Sequence, residues 1–211
     1  FATNDQLTAK RTFANRVCFT DSFQGEVVAN YAKAQAYKTA VVVVDQSQVY
    51  SLGLAKAFET AFKKNGGEIV KTIKITSGDK DFKAVVSQIK ETNPDFMFLP
   101  LYHPEASMIA RQAKQLGLDK PMFSGDGVAN QTFIDLGGDS VNGYMFTDFF
   151  DSTNPPSQTS ADFVAFHEKE TGNKEMNSFT ALGADTYNVL IDAMNRCEDP
   201  SNSICINEQI K

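Results

Sequence analysis

Thr39-Ala40-Val41-Val42-Val43-Val44 is short, β-branched and free of polar alternation. A strand with one wet face alternates apolar and polar residues. An unbroken apolar run such as this one belongs to a central parallel strand covered on both faces. Downstream, Leu54, Ala55, Phe58, Ala61 and Phe62 recur at helical spacing and make one apolar stripe. Lys63 and Lys64 suit the last turn of that helix, and Asn65-Gly66-Gly67 stops it.

The same unit then repeats. A second strand is expected over 68–75. Ser77-Gly78-Asp79-Lys80-Asp81 leads into a helix whose inward face is Phe82, Val85, Val86 and Ile89, with Asp81 as its expected cap. Asn93-Pro94-Asp95 breaks that helix before a strand over 96–99. A third helix carries Ala106, Ile109, Ala110 and Ala113 and ends at Gly117, and further short strands are expected over 121–124 and 143–146. Strand, loop, helix and Gly/Pro stop in regular succession give an α/β fold. The expected architecture is an open, mostly parallel sheet with helices on both faces.

After Phe150 the texture changes. Residues 151–160 form a polar linker containing Pro155 and Pro156, followed by helical stretches over 161–171 and about 180–196. The second has Gly183, Tyr187, Leu190, Ile191 and Met194 on one side. The first 22 residues also stand outside the αβ series. The expected organisation is a repeat domain over 24–147, with 1–23 and 148–211 contributing to a discontinuous second lobe.

Composition excludes several function classes. The net charge is −6, and the 20 Lys and Arg residues are scattered with no basic stripe, which argues against nucleic-acid binding. No apolar run approaches the roughly 18 residues that span a bilayer, so no direct membrane insertion is expected. The chain opens at Phe1 with neither a methionine nor a charged-then-apolar leader, and the expectation is an interior piece of a longer protein.

Of the three cysteines, Cys18 reads as a small buried hydrophobe. Cys197 and Cys205 enclose a polar, turn-forming segment. They are either a local disulfide, which suits an oxidising compartment, or two independent thiols.

Open α/β sheets bind ligands beyond the carboxyl ends of their strands. Tyr50, Tyr102 and Asp126 each follow a strand by a few residues. Two aromatic walls and one carboxylate suit a small zwitterion, the carboxylate meeting an ammonium while the rings exclude water. Taken singly, Tyr50 is equally a helix-start aromatic, Tyr102 loop packing, and Asp126, between Gly125 and Gly127, a turn residue. No catalytic constellation is found. The two histidines, His103 and His167, have no nucleophile pattern beside them, and His167 falls on the polar side of a helix. No nucleotide-binding or metal-binding signature occurs, and Gly66-Gly67 and Gly137-Gly138 are turns that open no helix. No enzyme activity, cofactor or metal is expected.

Several motifs now stand in a characteristic order: Ala2-Thr3-Asn4-Asp5-Gln6-Leu7-Thr8, Arg16-Val17-Cys18-Phe19-Thr20-Asp21-Ser22-Phe23-Gln24-Gly25, Tyr50-Ser51-Leu52-Gly53-Leu54-Ala55, Ser77-Gly78-Asp79 with Asp81-Phe82, Asn93-Pro94-Asp95, Gly125-Asp126-Gly127 and Ala181-Leu182-Gly183-Ala184-Asp185. Across essentially its whole length the chain resembles the branched-chain amino-acid-binding proteins of ABC importers, type I periplasmic solute-binding proteins. The resemblance implies an extracytoplasmic protein, free in the periplasm or lipid-anchored. It would bind a free amino acid in an interlobe cleft and present it to a membrane permease. It implies that Thr3 binds the ligand α-carboxylate and Asp126 its α-ammonium. Tyr50 and Tyr102 would wall the site, and Phe179 would line the side-chain pocket. It further implies βα units ahead of Thr3 that would supply a serine for the carboxylate, so that the chain alone is expected to bind weakly or not at all. The alternative is an amide or amino-acid sensory or regulatory domain of the same fold.

Overall fold

The computed structural model describes residues 2–173 and 175–211. They divide into two compact units. Thr3–Asp5 and Thr20–Asp148 form the larger one; Ala2, Gln6–Phe19 and Phe149–Lys211 form the smaller.

The larger unit is built on five parallel strands, β1 (Thr39–Asp45), β2 (Glu68–Ile75), β3 (Phe96–Phe98), β4 (Met122–Ser124) and β5 (Met145–Phe146), in the order β2-β1-β3-β4-β5. Five helices accompany them: α1 (Asp21–Ala34), α2 (Val49–Lys64), α3 (Lys83–Thr92), α4 (His103–Gln115) and α5 (Gln131–Gly137).

The valine run explains the layering. Successive side chains of a strand point to opposite faces, and β1 is buried on both. Val41 and Val43 join Met97 and Leu99 in a core closed by Phe82, Val86 and Ile89 of the α3 region, Ile109 and Ala113 of α4, and Phe133 of α5. Ala40, Val42 and Val44 join Phe96, Phe98 and Phe123 in a second core closed by Val28, Ala29 and Ala32 of α1 and Leu54, Phe58 and Phe62 of α2. Each of these larger side chains contributes about 1.5–3 kcal/mol by leaving water, and the ring pairs on the second face, such as Phe58 on Phe98 at 4.2 Å, add directional contacts. The open parallel sheet with helices on both faces, expected from the sequence, is the architecture observed. The edge strand β2 carries Glu68, Lys71 and Lys74, charges that discourage pairing with a further strand.

Local signals account for most boundaries. Asn93 ends α3 in the left-handed conformation at φ 46°, which Asn tolerates better than most residues. Asp95 then accepts the backbone N–H groups of Lys38 and Thr39 at 2.7 and 2.8 Å, pinning the start of β1 to that of β3. The N-cap position of α3 is Phe82 rather than Asp81. Asp81 nevertheless serves the first turn, its Oδ1 accepting the N–H of Lys83 at 3.1 Å.

The smaller unit contains α6 (Gln158–Thr171), α7 (Ser178–Asn195) and α8 (Ser203–Ile210), and no strand among the described residues. Phe19 stacks on Phe149 at 4.1 Å, Asn15 donates to Asn207 at 3.0 Å, and Cys197 and Cys205 are joined as a disulfide. One expectation fails here. Cys18 is partly exposed rather than buried. On the apolar side of α7, Tyr187 and Leu190 are 64% and 42% exposed and Ile191 and Met194 half-buried, while Ala181, Leu182 and Ala193 are the helix's buried apolar residues. A helical stripe is buried only where another layer covers it, and among the described residues this unit has no sheet to do so.

Candidate functional site

β1 and β3 are neighbours, but the chain leaves them in opposite directions. From β1 it runs through α2 to the outer strand β2; from β3 it runs through α4 to β4. The two connecting helices pack on opposite faces. The carboxyl ends of β1 and β3 therefore flank the switch point at which open α/β sheets form a crevice. Tyr50 lies in the first turn of α2, and Tyr102 is the N-cap residue of α4. Their rings stack with centroids 5.0 Å apart and planes 26° from parallel, one tyrosine from each side of the switch point. Tyr102 is 42% exposed and forms the outer member of the pair.

Asp126 opens a short 3-10 helix directly after β4 and is 5% exposed. Its backbone N–H donates to Gln24 Oε1 at 3.0 Å, and its Oδ1 accepts from Gln24 Nε2 at 2.8 Å. The next residue, Gly127, donates its N–H to the Tyr50 hydroxyl at 3.0 Å, which sets that hydroxyl beside Asp126, close enough for each to shift the other's protonation. Burial raises the Asp126 pKa above the ordinary carboxylate value, the hydrogen bonds from Gln24 and Tyr50 opposing it. Burial lifts the Tyr50 hydroxyl well above its ordinary value, and the Asp126 charge lifts it further. Tyr102 shifts the same way, through burial and then through the charges of Asp126 and Asp21. The cluster thus offers a shielded carboxylate beside an aromatic pair, an arrangement that favours a cationic group over an anion.

The glycines flanking Asp126 serve packing rather than a turn. Neither has positive φ. A Cβ on Gly125 would lie 2.5 Å from Leu54 Cδ2, 2.7 Å from the Tyr50 hydroxyl and 2.8 Å from Gln24 Oε1. One on Gly127 would lie 2.7 Å from the Leu101 carbonyl oxygen and 3.0 Å from Tyr50 Cε1. Bare backbone lets Tyr50 and Gln24 close on both sides of the carboxylate.

Thr3 is buried in the same unit. Its carbonyl accepts the N–H of Asp21 at 2.8 Å, tying it to the start of α1 beneath the charge that Tyr50 and Tyr102 feel. Phe179 belongs to the smaller unit, where its N–H is capped by Asn177 at 2.9 Å and its ring packs on Phe149 at 5.6 Å. The sequence reading missed Gln24, a fully buried glutamine in the first turn of α1. Asp45 is a buried carboxylate of another kind. Burial works against its charge, but hydrogen bonds from Ser47 and Ser77 outweigh that and hold its pKa below the ordinary value. One of its oxygens shapes the β1–α2 turn through Ser47, and the other ties that turn to Ser77 after β2.

The leucine-binding protein LivK of Thermotoga maritima superposes with a TM-score of 0.93 at 37% identity, over 99% of this chain and 59% of that one. The branched-chain amino acid transporter substrate-binding protein LivJ of Streptococcus pneumoniae, solved in complex with isoleucine, does so with a TM-score of 0.88 at 29% identity, over 99% and 59%. The Leu/Ile/Val-binding protein BraC3 of Rhizobium johnstonii is 34% identical over 184 residues, 86% of this chain and 50% of that protein. The chain spans about half the length of the sequence relatives it matches. The profile of the family described as periplasmic binding protein matches residues 2–207, and it is to that family that the chain belongs.

Proposed function

We propose that the protein binds a free amino acid of the branched-chain kind, as the extracytoplasmic solute-binding component of an ABC importer. Asp126 receives the α-ammonium, Tyr50 and Tyr102 wall the site, Thr3 takes the α-carboxylate, and Phe179 lines the side-chain pocket. The binding site of the whole protein is then a cleft between two lobes, and a membrane permease is its partner. The observation that carries this reading is the buried Asp126 carboxylate held against Tyr50 beside the Tyr50–Tyr102 stack. Burying a carboxylate is costly, and an ammonium in contact with it recovers much of that cost. Support also comes from LivJ, whose structure contains isoleucine. The disulfide between Cys197 and Cys205 agrees with an oxidising compartment. The role requires binding and release rather than bond making.

Titration calorimetry with isoleucine, leucine, valine, alanine, a polar amino acid and a simple amide tests the proposal. It is run on this chain and on the full product of its gene, with Asp126→Ala beside each. The expected result is branched-chain amino-acid binding that weakens at least about 100-fold in D126A, the cost of removing one partner of a buried charge pair. Amino-acid affinity that survives D126A intact would overturn the ammonium assignment. Binding of the amide alone would favour a sensory domain of the same fold, and no binding by either chain would overturn the transport reading.

A further inference from the structure

One side chain holds Asp126 by both its backbone and its carboxylate. Gln24 is fully buried in the first turn of α1, 102 residues from Asp126 and 123 from Thr147. Its Oε1 accepts two hydrogen bonds, from the Asp126 backbone N–H at 3.0 Å and from the Thr147 hydroxyl at 2.6 Å. A backbone N–H can only donate, so the atom facing it must be the amide oxygen. The opposite end of the amide must then be the NH2 group, and it donates to Asp126 Oδ1 at 2.8 Å. The orientation of the amide is thus dictated by its neighbours rather than left to choice. Asp126 follows β4 and Thr147 follows β5, so the glutamine also clamps two adjacent strand ends to α1. Gly125 allows this approach, since a Cβ there would lie 2.8 Å from Gln24 Oε1.

We infer that Gln24 is the positioning residue of this site. Its amide, locked by Thr147 and by the backbone of Asp126, fixes the Asp126 carboxylate in the orientation that receives a ligand ammonium. The functional half of this inference rests on the amino-acid-binding reading; the mechanical half does not. An ionised carboxylate offers about four lone-pair directions. Gln24 occupies one of them, and that bond sets the directions of the rest. A buried glutamine serves this purpose better than a lysine or arginine. It holds the carboxylate without neutralising it, so the negative charge stays available to the ligand.

NMR titration of the chain without ligand tests the inference, reading the Asp126 side-chain carboxyl carbon, assigned by its loss in D126N, together with the Gln24 side-chain amide. In the unsubstituted chain the Gln24 amide should follow the Asp126 protonation step with the same midpoint. The near-isosteric Gln24→Glu keeps an acceptor for the Asp126 N–H and the Thr147 hydroxyl but replaces the donated hydrogen bond with a second acid. The Asp126 midpoint should then rise by about one pH unit or more, as it does when two carboxyls share a site. A residue 24 whose side chain did not lie against the Asp126 carboxyl would leave that midpoint where it was, and a glutamine that merely filled space would show no step of its own amide with the Asp126 titration. A folded Q24E with an unshifted midpoint overturns the inference. So does a Gln24 amide in the unsubstituted chain that ignores the Asp126 step, a measurement that needs no variant to fold. A chain that shows the coupled titration yet binds no amino acid supports the positioning and removes the proposed function alone.

Discussion

Burial raises the pKa of Asp126 above the ordinary carboxylate value, against the hydrogen bonds from Gln24 and Tyr50. The sign of the consequence follows from proton counting. Between the unfolded and the raised folded value, the folded chain keeps a proton that the unfolded chain has lost. Stability therefore falls as pH rises through that window, and above it the penalty stays constant. Asp126→Asn removes the penalty while keeping an oxygen for the Gln24 amide. Urea unfolding at pH 7 should show D126N with a higher midpoint than the unsubstituted chain, the gain shrinking toward pH 4. An equal or lower midpoint at pH 7 would mean that the carboxylate is not held at a cost, weakening the case that a ligand cation is its intended partner. The residue scale also shows what a sequence can reveal about this site. Tyr50, Tyr102 and Asp126 are legible because each follows a strand, and strand ends are where open α/β sheets bind ligands. Gln24 is not legible in that way, because its role depends on a contact 102 residues distant. In isolation it is one more polar residue in the first turn of a helix.

Helices α1 and α2 pack more closely than ordinary side chains permit. A Cβ on Gly25 would lie 2.5 Å from the backbone nitrogen of Phe58 and 2.8 Å from the carbonyl carbon of Ala57. Both are backbone atoms, so relief requires one helix to move. Because α1 carries Gln24, that movement would also be felt at Asp126. Gly25→Ala is expected to cost about 1–3 kcal/mol by overpacking. Gly183 provides the contrast: it lies within α7, lacks positive φ, and has no atom within 4 Å of an added Cβ. Gly183→Ala should stabilise the chain by roughly 0.5–1 kcal/mol through helix propensity alone. Opposite signs for the two substitutions in one denaturation series are the expected outcome; a neutral G25A would mean that the α1–α2 approach is not tight. At this scale the long periodic elements were readable, β1 from its valines and α2 to α4 from their buried stripes. The short helices α5 and α8, of 7 and 8 residues, offer about two turns each, too little for a period to stand out. The residues that share one side of α7 are a different case, since Tyr187 and Leu190 among them are exposed. Periodicity reports which face could be buried, not whether a layer is present to bury it.

The two units differ in how much they bury. The larger has a sheet with a packed core on each face. In the smaller, the buried apolar side chains after Phe149 are Met176, Ala181, Leu182, Ala193 and Cys197. Amides of β1 and α2 should therefore exchange with solvent far more slowly than those of α6 to α8, since protection follows local burial and packing. The disulfide between Cys197 and Cys205 partly compensates the smaller unit by closing a loop between residues eight apart, at the junction of α7 and α8. Chain-entropy arithmetic for so short a loop gives about 2.5 kcal/mol. Replacing both cysteines with serine should then accelerate exchange across α7 and α8 by roughly 70-fold, the equivalent of that energy, and leave β1 unchanged. If protection of β1 fell in step, the two units would unfold as one, and the disulfide would stabilise the sheet that carries Tyr50, Tyr102 and Asp126. If only α7 and α8 loosened, the larger unit would be a folding unit in its own right, with Gln24 and Asp126 assembled inside it.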